Sequence, residues 1–248
     1  MILVVLPAYN EAEATPRLLG RLRDVARTST QPIKCLVVDD GSSDGTAAAA
    51  ERENGDAMPV QVVRHSQNRG LHGALDTGLR TAVAQCAADD WIVTMDADDT
   101  HPPDLIPLMM KSAAEHHASV VIASRFQPGA EWHGLSWDRL VFSYTVSWMF
   151  RIAWPIANVR DYTCGYRAYR AGVIAAAYER WGAMLVNEPS FACMPDVLWK
   201  VSRLKPRFSE VPLSLHYERK PGPSKMQVYR TIRRSLSLLV KRRVGINS

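Results

Sequence analysis

Short apolar runs that alternate with helical patterns constrain the fold of this 248-residue chain more than any other feature. Five such runs are Ile2–Leu6, Ile33–Val38, Val60–Val63, Trp91–Met95 and Val120–Ala123. The segments between them have helical patterns: Glu11–Arg27, the alanine-rich segment around Ala47–Ala50, Ala74–Ala87 and Leu105–His116. Continuous apolar runs are typical of strands buried on both faces, and their alternation with helices predicts βαβ units. We therefore predict an α/β fold with a mostly parallel central sheet and flanking helices.

After residue 125 the alternation gives way to longer helical patterns. Residues 126–138 contain Gly, Pro and Trp and are predicted to form a loop, and a further strand is predicted at Val211–His216. The segment Arg219–Ser224, with two prolines and a glycine, is predicted to be a second loop. The predicted helices are Arg139–Ala153, Ala168–Trp181, Pro195–Leu204 and a basic amphipathic helix at Val228–Val244.

The net charge of +5 hides a strong asymmetry along the chain. Residues 200–248 contain thirteen Lys or Arg and two Glu, a net charge of +11, so the first 199 residues sum to −6. A basic segment indicates an anionic partner such as a phospholipid surface, a lipid phosphate or a nucleic acid, although a merely solvated end has the same composition. The final amphipathic helix could lie on an anionic bilayer or pack its apolar stripe on the core, and the sequence leaves both open.

Cysteine spacing and hydropathy bear on the compartment of the protein. The cysteines lie far apart without a CxxC pair: Cys35, Cys86, Cys164 and Cys193. This spacing favours buried free thiols in a reducing compartment over disulfides or a zinc site. Met1–Leu6 is apolar but has no basic stretch and meets Pro7 too early for a signal peptide, and no uncharged apolar run reaches the roughly 18 residues of a spanning helix. We expect a cytoplasmic protein, with peripheral contact at the cytoplasmic face of the membrane as a further expectation.

Three carboxylates, Asp96, Asp98 and Asp99, directly follow the fourth apolar run. Carboxylates this close repel one another unless a cation or another positive group lies between them. Because α/β sheets bind ligands at the carboxyl ends of their strands, a site is favoured over the alternative, a solvated acidic turn. Hard oxygen ligands with open positions for phosphate oxygens suit Mg²⁺ or Mn²⁺. The stretch therefore predicts a divalent ion that holds a diphosphate.

Two further polar loops follow the first and second predicted strands. In Pro7–Glu11, Tyr9 is suited to contact a base or ribose and Glu11 to accept a hydrogen bond from a sugar hydroxyl, while Asn10 could simply cap the next helix. In Asp39–Thr46, two acids at the strand end are suited to donors on a base or ribose. Neither loop resembles GxGxxG or a Walker loop, so the metal and basic side chains must hold the diphosphate.

Taken in order, these stretches resemble the family 2 glycosyltransferases, which are inverting enzymes with a GT-A fold. The resemblance rests on PAYNE (7–11), DDGSSDGT (39–46), Asn68-Arg69-Gly70-Leu71, DADDTHPPDLI (96–106) and Ser124-Arg125-Phe126. The second half is similar to the polyprenol- and dolichyl-phosphate sugar synthase branch through Asp161–Tyr169, Glu210–Pro212 and Arg219–Met226. The likeness implies one GT-A domain over residues 1–226, followed by the basic helix of residues 227–248. Within that domain, residues 1–125 would bind the nucleotide sugar and residues 126–226 the acceptor.

The resemblance also implies roles for individual residues. Asp96 and Asp98 would be the metal ligands of a DxD motif, with Asp98 counted among the catalytic residues. The residues implied to surround the nucleotide are Pro7, Tyr9, Glu11, Asp39, Asp40, Asp96 and Lys225. Basic positions implied around the donor diphosphate and the acceptor phosphate are Arg125, Arg139 and Arg219. Guanidinium groups suit phosphate oxygens and would offset the charge of the leaving diphosphate.

The chain departs from the family pattern at several positions. Thr100 stands where the family often has a Gln that contacts the metal, and Asp196 stands where the synthases usually have Glu. The segments Val186–Pro189 and Met194–Asp196 are also unusual, and the sequence shows no C-terminal pair of membrane helices. These departures flank the acceptor side and therefore bear on the acceptor more than on catalysis.

The implied activity is a metal-dependent, inverting transfer of a hexose, with mannose favoured, from a GDP- or UDP-linked sugar to a polyprenyl or dolichyl phosphate. A phosphate acceptor is anionic near neutral pH and needs no strong general base. The alternative is a small soluble acceptor, such as a nucleoside or another natural-product intermediate, whose hydroxyl would need a carboxylate base, Asp196 or Glu188. Nucleic-acid binding through the basic end would leave the carboxylates unexplained, so we expect no nucleic-acid partner.

Overall fold

The computed structural model describes residues 1–134 and 137–219. The strands in these residues are β1 (Ile2–Ala8), β2 (Ile33–Asp39), β3 (Val60–Arg64), β4 (Trp91–Thr94), β5 (Val120–Ser124), β6 (Glu131–His133), β7 (Arg167–Arg170), β8 (Phe208–Pro212) and β9 (Ser214–His216). The α-helices are α1 (Ala14–Thr28), α2 (Thr46–Glu51), α3 (Gly70–Gln85), α4 (Leu105–Glu115), α5 (Trp137–Ala153), α6 (Ala171–Trp181) and α7 (Cys193–Ser202). Short 3₁₀ turns lie at Gly182–Met184, Ser190–Ala192 and Tyr217–Arg219.

Seven strands form a central sheet in the order β3-β2-β1-β4-β7-β5-β8. Neighbouring strands pair in parallel except at β7, which runs antiparallel between β4 and β5. The short strands β6 and β9 pair in parallel in a second, two-stranded sheet. The predicted α/β fold with a mostly parallel central sheet is therefore confirmed.

Helices cover both faces of the central sheet, which explains why its strands are apolar along their whole length. In β1, the side chains of Ile2, Val4 and Leu6 pack on the side of α1, α2 and α4. The alternate side chains, Leu3 and Val5, pack on the side of α3, α5, α6 and α7. Successive side chains of a strand point to opposite faces, so a strand buried on both faces needs apolar residues at every position.

The five predicted strands of the first half and the four helices between them are confirmed, with small shifts at their ends. β1 and β2 continue to Ala8 and Asp39, into the loops that the sequence analysis singled out. Among the helices, α3 begins at Gly70, four residues before the predicted start at Ala74. The reason is a side-chain cap from a neighbouring loop, described below, that fixes the first turn of this helix.

The predicted helix Ala168–Trp181 is wrong at its beginning, because Arg167–Arg170 form β7 and α6 starts only at Ala171. The first three residues of β7 are almost fully buried between β4 and β5. Tertiary packing here overrides the helix propensity that the alanine-rich sequence suggests.

The predicted strand Val211–His216 is in fact parts of two strands in different sheets. β8 ends at Pro212, which has no N–H for a ladder hydrogen bond, and Leu213 separates it from β9. The predicted loop 126–138 is also partly wrong, because it contains β6 and the first residues of α5. β6 is three residues long and exposed, which is too short to show a periodic pattern.

The predicted helix Val228–Val244 and nearly all of the predicted loop Arg219–Ser224 lie outside the described residues. All four cysteines are free, and three of them are buried, as predicted. Within residues 1–134 and 137–219, none of the helices combines the length and the apolar character needed to cross a bilayer.

Candidate active site

The polar loops singled out in the sequence lie along one edge of the central sheet. β2, β1 and β4 are adjacent and parallel, so their carboxyl ends meet at the same edge. Ala8 pairs with Asp39 in the register of β1 and β2. Beside them, Met95 N–H donates to Val5 O at 3.2 Å just after β4 ends. Ligands of open α/β sheets bind at this kind of edge, so the fold brings the predicted donor residues together.

Hydrogen bonds join the loops that follow β1 and β2. Three consecutive backbone N–H groups of the first loop donate to side chains of the second: Asn10 to Ser42 at 2.9 Å, Glu11 to Thr46 at 2.9 Å and Ala12 to Asp44 at 3.0 Å. In return, Asn10 Oδ1 accepts a hydrogen bond from Ser43 N–H at 3.0 Å. Asn10 therefore joins the two loops and does not cap α1, which has no side-chain cap. The joined loops present Tyr9, which is 39% exposed, and the half-buried Glu11, next to Pro7 at the end of β1.

The adjacent acids Asp39 and Asp40 have different surroundings. Asp39 Oδ1 accepts a hydrogen bond from Ser42 N–H at 3.0 Å, within the loop after β2. Asp40 instead accepts the N–H groups of Arg69 and Gly70 at 2.9 and 2.8 Å, and His65 Nδ1 lies 2.7 Å from its Oδ1. Both oxygens of Asp40 are thus bound at the first turn of α3, and its carboxylate is buried. Asp40 therefore positions α3 and its loop in this structure, and its implied contact with the nucleotide stays a prediction.

Gly41 follows these acids at a point where two loops touch. Its φ is +73°, and a Cβ there would lie 2.7 Å from the backbone carbon of Gln67. Real side chains do not approach backbone so closely, and positive φ favours glycine, so any other residue would push the two loops apart.

The acidic loop after β4 uses its carboxylates in different ways. Asp99 turns back to α1, where Arg21 Nη1 donates to its Oδ1 at 2.8 Å. Asp98 Oδ1 accepts hydrogen bonds from Thr100, at 3.2 Å from the N–H and at 2.7 Å from the hydroxyl. Asp96 is half-buried, and Asp98 is 7% exposed. The third acid therefore belongs to a structural ion pair, and the metal prediction rests on Asp96 and Asp98.

The DxD segment packs against the segment Asp161–Tyr169. Asp96 N–H donates to His101 Nδ1 at 3.1 Å, and the His101 ring stacks on Tyr166 with centroids 5.2 Å apart. Gly165 lies directly against the loop, since a Cβ there would be 3.6 Å from Asp96 Oδ1. The segment that marks the likeness to the synthase branch therefore packs against the loop in which the metal ligands are predicted.

Arg125 is held by a buried carboxylate. Its Nε and Nη2 donate to Asp161 Oδ2 and Oδ1, both at 2.8 Å, and its Nη1 donates to Ser143 Oγ of α5 at 3.2 Å. Burial acts to raise the pKa of Asp161, but the charge and hydrogen bonds of Arg125 outweigh it and lower that pKa below its usual value. Burial acts to lower the pKa of Arg125, yet the charge of Asp161, with a smaller contribution from Asp96, raises it. Arg125 therefore uses Nε and Nη2 to bind Asp161 in this structure, and its implied place beside the phosphates stays a prediction.

The other basic residues implied around the phosphates cannot be placed in the same way. The side chains of Arg139 and Arg219, and the whole of Lys225, lie outside the part of the chain that the structure describes. Their implied roles stay predictions.

Glu210, in the Glu210–Pro212 segment, fixes the backbone that carries Asp161. Its Oε1 accepts the N–H groups of Arg160 and Asp161 at 2.7 and 2.9 Å. Burial raises the pKa of Glu210 above its usual value, although these hydrogen bonds act in the opposite direction. Glu210 therefore positions the Arg125–Asp161 pair from the neighbouring strand β8.

Asp196, a candidate general base, lies inside α7 without exposure to solvent. Lys200, one helical turn later, donates to Asp196 Oδ2 at 2.5 Å. The same ammonium donates to Met184 O, to Leu185 O at 3.1 Å and to Asn187 Oδ1 at 3.0 Å. The unusual segments at residues 186–189 and 194–196 thus form one buried cluster. The role of Asp196 as the base for a hydroxyl acceptor stays a prediction, as does that of the other candidate, Glu188, which is half-buried.

The residues at the end of β4 fit a divalent ion that shares its ligands with a substrate. Asp96 and Asp98 offer hard carboxylate oxygens of the type that Mg²⁺ and Mn²⁺ prefer. Among residues 1–134 and 137–219, however, no group of three or more His, Cys, Asp or Glu is arranged to hold a metal. Mg²⁺ commonly uses one or two carboxylates together with substrate phosphates. A cation held by Asp96 and Asp98 would complete its coordination with oxygens of a substrate phosphate.

Several residues that shape the site were not assigned roles from the sequence. The sequence identified Asp161 only as part of a motif and did not predict its contact with Arg125, because the two residues are 36 positions apart. His101 and Arg21 carried no signal of their contacts with the acidic loop. The sequence does contain a signal for Lys200, because it lies four residues after Asp196, the spacing of an ion pair on one face of a helix.

Sequence comparison identifies the family of this chain. Residues 3–176 match the family described as Glycosyl transferase family 2. The chain is 35% identical over 225 residues to an undecaprenyl-phosphate mannosyltransferase of Micrococcus luteus, covering 91% of this chain and 87% of that protein. It is 33% identical over 229 residues to a polyprenol monophosphomannose synthase of Mycolicibacterium smegmatis, covering 90% of this chain and 80% of that protein.

Solved structures with the same fold are glycosyltransferases of the GT-A type. Glucosyl-3-phosphoglycerate synthase from Mycobacterium tuberculosis, in complex with Mn²⁺, UDP and glucosyl-3-phosphoglycerate, matches 100% of this chain and 81% of its own with a TM-score of 0.68 and 17% identity. Mannosyl-3-phosphoglycerate synthase from Rubrobacter xylanophilus matches 99% of this chain and 74% of its own with a TM-score of 0.65 and 17% identity. At this identity the likeness establishes the fold alone. Together with the sequence match and the loops assembled at the sheet edge, it leads to one conclusion: the chain is a glycosyltransferase and belongs to Glycosyl transferase family 2.

Proposed function

We propose that this enzyme transfers a hexose, with mannose favoured, from a nucleoside-diphosphate sugar to a polyprenyl phosphate, with inversion and with the help of Mg²⁺ or Mn²⁺. The names of the two relatives, a mannosyltransferase and a mannose synthase that act on polyprenyl carriers, support the acceptor class and the sugar. The observation that carries the proposal is the burial of Asp196 against Lys200. A carboxylate without solvent exposure is not accessible to an acceptor hydroxyl, whereas a phosphate acceptor needs no such base.

The donor would lie across the carboxyl ends of β2, β1 and β4. Asp39 is suited to accept hydrogen bonds from the base or ribose, and Tyr9 and Glu11 are held nearby by the joined loops. Because backbone hydrogen bonds fix these loops before the donor arrives, little ordering remains to be done on binding. These contacts are compatible with either a GDP- or a UDP-linked sugar.

The diphosphate would lie at the acidic loop. A divalent cation bound by Asp96, Asp98 and the diphosphate would neutralise charge on the leaving group. Thr100 orients the Asp98 carboxylate, and His101 holds the backbone of Asp96. An acceptor phosphate oxygen would form the new bond to the anomeric carbon as the bond to the nucleoside diphosphate breaks.

The acceptor phosphate would approach from the side of Arg125. This guanidinium is fixed by Asp161 and contributes to the site through its charge, from a place near Asp96. Arg139 and Arg219 would supply guanidinium groups that bind the phosphates directly, and Lys225 would act on the nucleotide side. The peripheral contact with the cytoplasmic face of the membrane would bring the lipid acceptor within reach.

A soluble hydroxyl acceptor is the second candidate function. The observation that favours it is the set of departures around residues 186–196, which replace the usual acceptor-side sequence with a compact buried cluster. Catalysis would then need Glu188, or an Asp196 released from Lys200, as general base.

The test is a donor and acceptor screen with the full chain. Undecaprenyl phosphate in detergent is incubated with labelled GDP-mannose or UDP-hexoses, with Mn²⁺, Mg²⁺ or a chelator. We expect a labelled lipid product that depends on the metal, together with release of nucleoside diphosphate. Nucleoside diphosphate release with a soluble hydroxyl acceptor, and no lipid product with any donor, would contradict the proposal in favour of the second candidate.

A further inference from the structure

A broad, open groove with a volume of about 1320 Å³ lies outside the crevice described above. It is formed by residues 155–160, by the C-terminal ends of α5, α6 and α7 and by the segment that leads into β8. Its lining includes six exposed basic residues: Arg151, Arg160, Arg180, Arg203, Lys205 and Arg207. The acidic residue in this lining is Glu210, which directs its Oε1 to backbone N–H groups. The groove is therefore strongly positive.

None of these six basic residues forms an ion pair with a carboxylate of residues 1–134 or 137–219. So many like charges around one concavity raise the local concentration of anions and favour an anionic partner. The C-terminal residues of this chain are not such a partner, since residues 220–248 contain eight Lys or Arg and no Asp or Glu. The complementary charge must come from another molecule.

A second feature, the outer face of α5, borders the groove. Five large apolar side chains on this helix are 42–77% exposed: Trp137, Val141, Tyr144, Trp148 and Ile152. Their spacing of three or four residues places them on one side of the helix, and Val146 and Phe150 are buried on the other side. A row of exposed aromatic and aliphatic side chains of this length marks an interaction surface.

Arg151 connects the two features. It is the neighbour of Ile152 on α5, and it lines the groove. At roughly 100° of rotation per residue, Arg151 lies about 60° from the centre of the apolar row, so this positive charge lies next to the row on α5. Tryptophan and tyrosine prefer the headgroup level of a bilayer, and Lys and Arg near the surface are attracted to anionic lipids.

We propose that the outer face of α5 and the basic groove together form a docking surface for an anionic phospholipid bilayer. A nucleic acid would match the positive charge but would leave the apolar side chains of α5 without a partner. The proposal rests on the proposed function and deepens it, because it assigns the expected peripheral membrane contact to named residues. Docking itself needs neither a nucleotide sugar nor a polyprenyl phosphate. It also has a consequence for the site: Ser143 of α5 accepts a hydrogen bond from Arg125, so a bilayer bound at α5 lies beside the acceptor side of the enzyme.

The experiment measures binding of the full chain to vesicles by flotation. Vesicles of phosphatidylcholine alone are compared with vesicles that also contain phosphatidylglycerol, both without polyprenyl phosphate. We expect binding to the anionic vesicles that weakens as salt increases, and little binding to the neutral ones. Because no donor or acceptor is present, the result does not depend on the glycosyl-transfer assay.

The groove is tested with the triple variant Arg160→Gln/Lys205→Gln/Arg207→Gln. Each charge near an anionic surface contributes about fivefold in affinity, so binding is expected to weaken on the order of 100-fold. The matched control, Arg27→Gln/Arg52→Gln/Arg64→Gln, removes three exposed charges that do not line the groove, and it should bind almost as the unchanged chain does. Equal binding by the two triple variants would overturn the assignment of the groove.

The apolar row is tested with Trp148→Ser, at a position that is 55% exposed and therefore tolerant of the change. The unchanged chain should show a blue shift of tryptophan fluorescence when anionic vesicles are added, and Trp148→Ser should reduce both the shift and the affinity. An unchanged affinity and shift would contradict insertion of α5. Tighter binding to duplex DNA than to anionic vesicles at the same salt concentration would overturn the proposal in favour of a nucleic-acid surface.

Discussion

The side of the site proposed to bind the donor, formed by residues 7–11, 39–46 and 96–100, differs from the side proposed to bind the acceptor in how its side chains are held. On the donor side, short polar side chains accept hydrogen bonds from backbone N–H groups of neighbouring loops. On the acceptor side, the pairs Arg125–Asp161 and Asp196–Lys200 are ion pairs with almost fully buried carboxylates. The donor side therefore depends on loop geometry, and the acceptor side depends on buried charges.

This difference has an energetic consequence. Removing one partner of a buried ion pair leaves an uncompensated charge in the core, which costs several kcal/mol. Losing one hydrogen bond between exposed loops costs only about 1 kcal/mol, because water can replace it. Variants on the acceptor side should therefore be detected first by unfolding experiments, and variants on the donor side by kinetics.

The largest expected effect is that of Asp98→Asn on catalysis. An amide is a poorer ligand for a divalent cation than a carboxylate, so we expect the rate of nucleoside diphosphate release to fall on the order of 100- to 1000-fold. Stability should change little, because the amide oxygen can still accept the hydrogen bonds from Thr100. Asp104→Asn, at a side chain that is 78% exposed, is the matched control. A full rate for Asp98→Asn would refute the metal assignment.

The next effect is on stability, in Asp161→Asn. Arg125 would remain buried without its counter-charge, so the free energy of unfolding in urea should fall by about 3–5 kcal/mol. Asp24→Asn removes one partner of the exposed Arg27 pair and should cost less than about 1 kcal/mol. A similar loss of unfolding free energy in the two variants would show that the buried pair contributes no more to stability than the exposed one.

The same variant gives a prediction for acid pH. The pKa of Asp161 is lower in the folded protein than in the unfolded chain, where it is about 3.9. Its contribution to stability is therefore fully present above that pH and is lost as the pH falls through the folded pKa. The stability difference between the unchanged chain and Asp161→Asn, measured by urea unfolding, should be constant near neutral pH and should shrink only below about pH 4. A difference that shrinks already near neutral pH would assign the titration to another group.

Asp196→Asn tests both the buried cluster and the acceptor. The loss of its charge should lower the free energy of unfolding by about 3 kcal/mol, and the double variant Asp196→Leu/Lys200→Met should recover part of this loss. Transfer to a lipid phosphate should weaken by less than about tenfold, since no general base is removed. Abolished transfer in a variant that remains folded would instead assign Asp196 to catalysis and favour a hydroxyl acceptor.

The smallest effect is expected for Asp44→Ala, which separates the joined loops. It removes the acceptor of the Ala12 and Thr46 hydrogen bonds, so stability should fall by about 1 kcal/mol and the KM for the donor should rise with little change in kcat. Ser43→Ala is the control, because this residue joins the loops through its backbone N–H. Equal KM values for the two variants would contradict a role of the joined loops in donor binding.

The sequence predicts the donor side better than the acceptor side for a physical reason. The donor loops are contiguous segments at the ends of apolar strands, so parallel pairing alone brings them together. The pair Arg125–Asp161 joins segments 36 residues apart, and such a partner choice depends on packing that no local pattern encodes. The strand β7 was not predicted for the same reason, since its extended conformation depends on pairing with β4 and β5. The exception, Lys200, shows that helix spacing around an acid is worth testing before the acid is assigned a catalytic role.

Asp40 has one further consequence, which concerns the dipole of α3. In dinucleotide-binding folds the amino terminus of a helix after a strand receives the pyrophosphate of the ligand. Here the protein supplies its own anion: the Asp40 carboxylate occupies the amino end of α3 and uses the N–H groups of Arg69 and Gly70 that a phosphate would otherwise bind. With this partial positive charge already satisfied internally, α3 does not offer a free amino terminus to the diphosphate of the proposed donor.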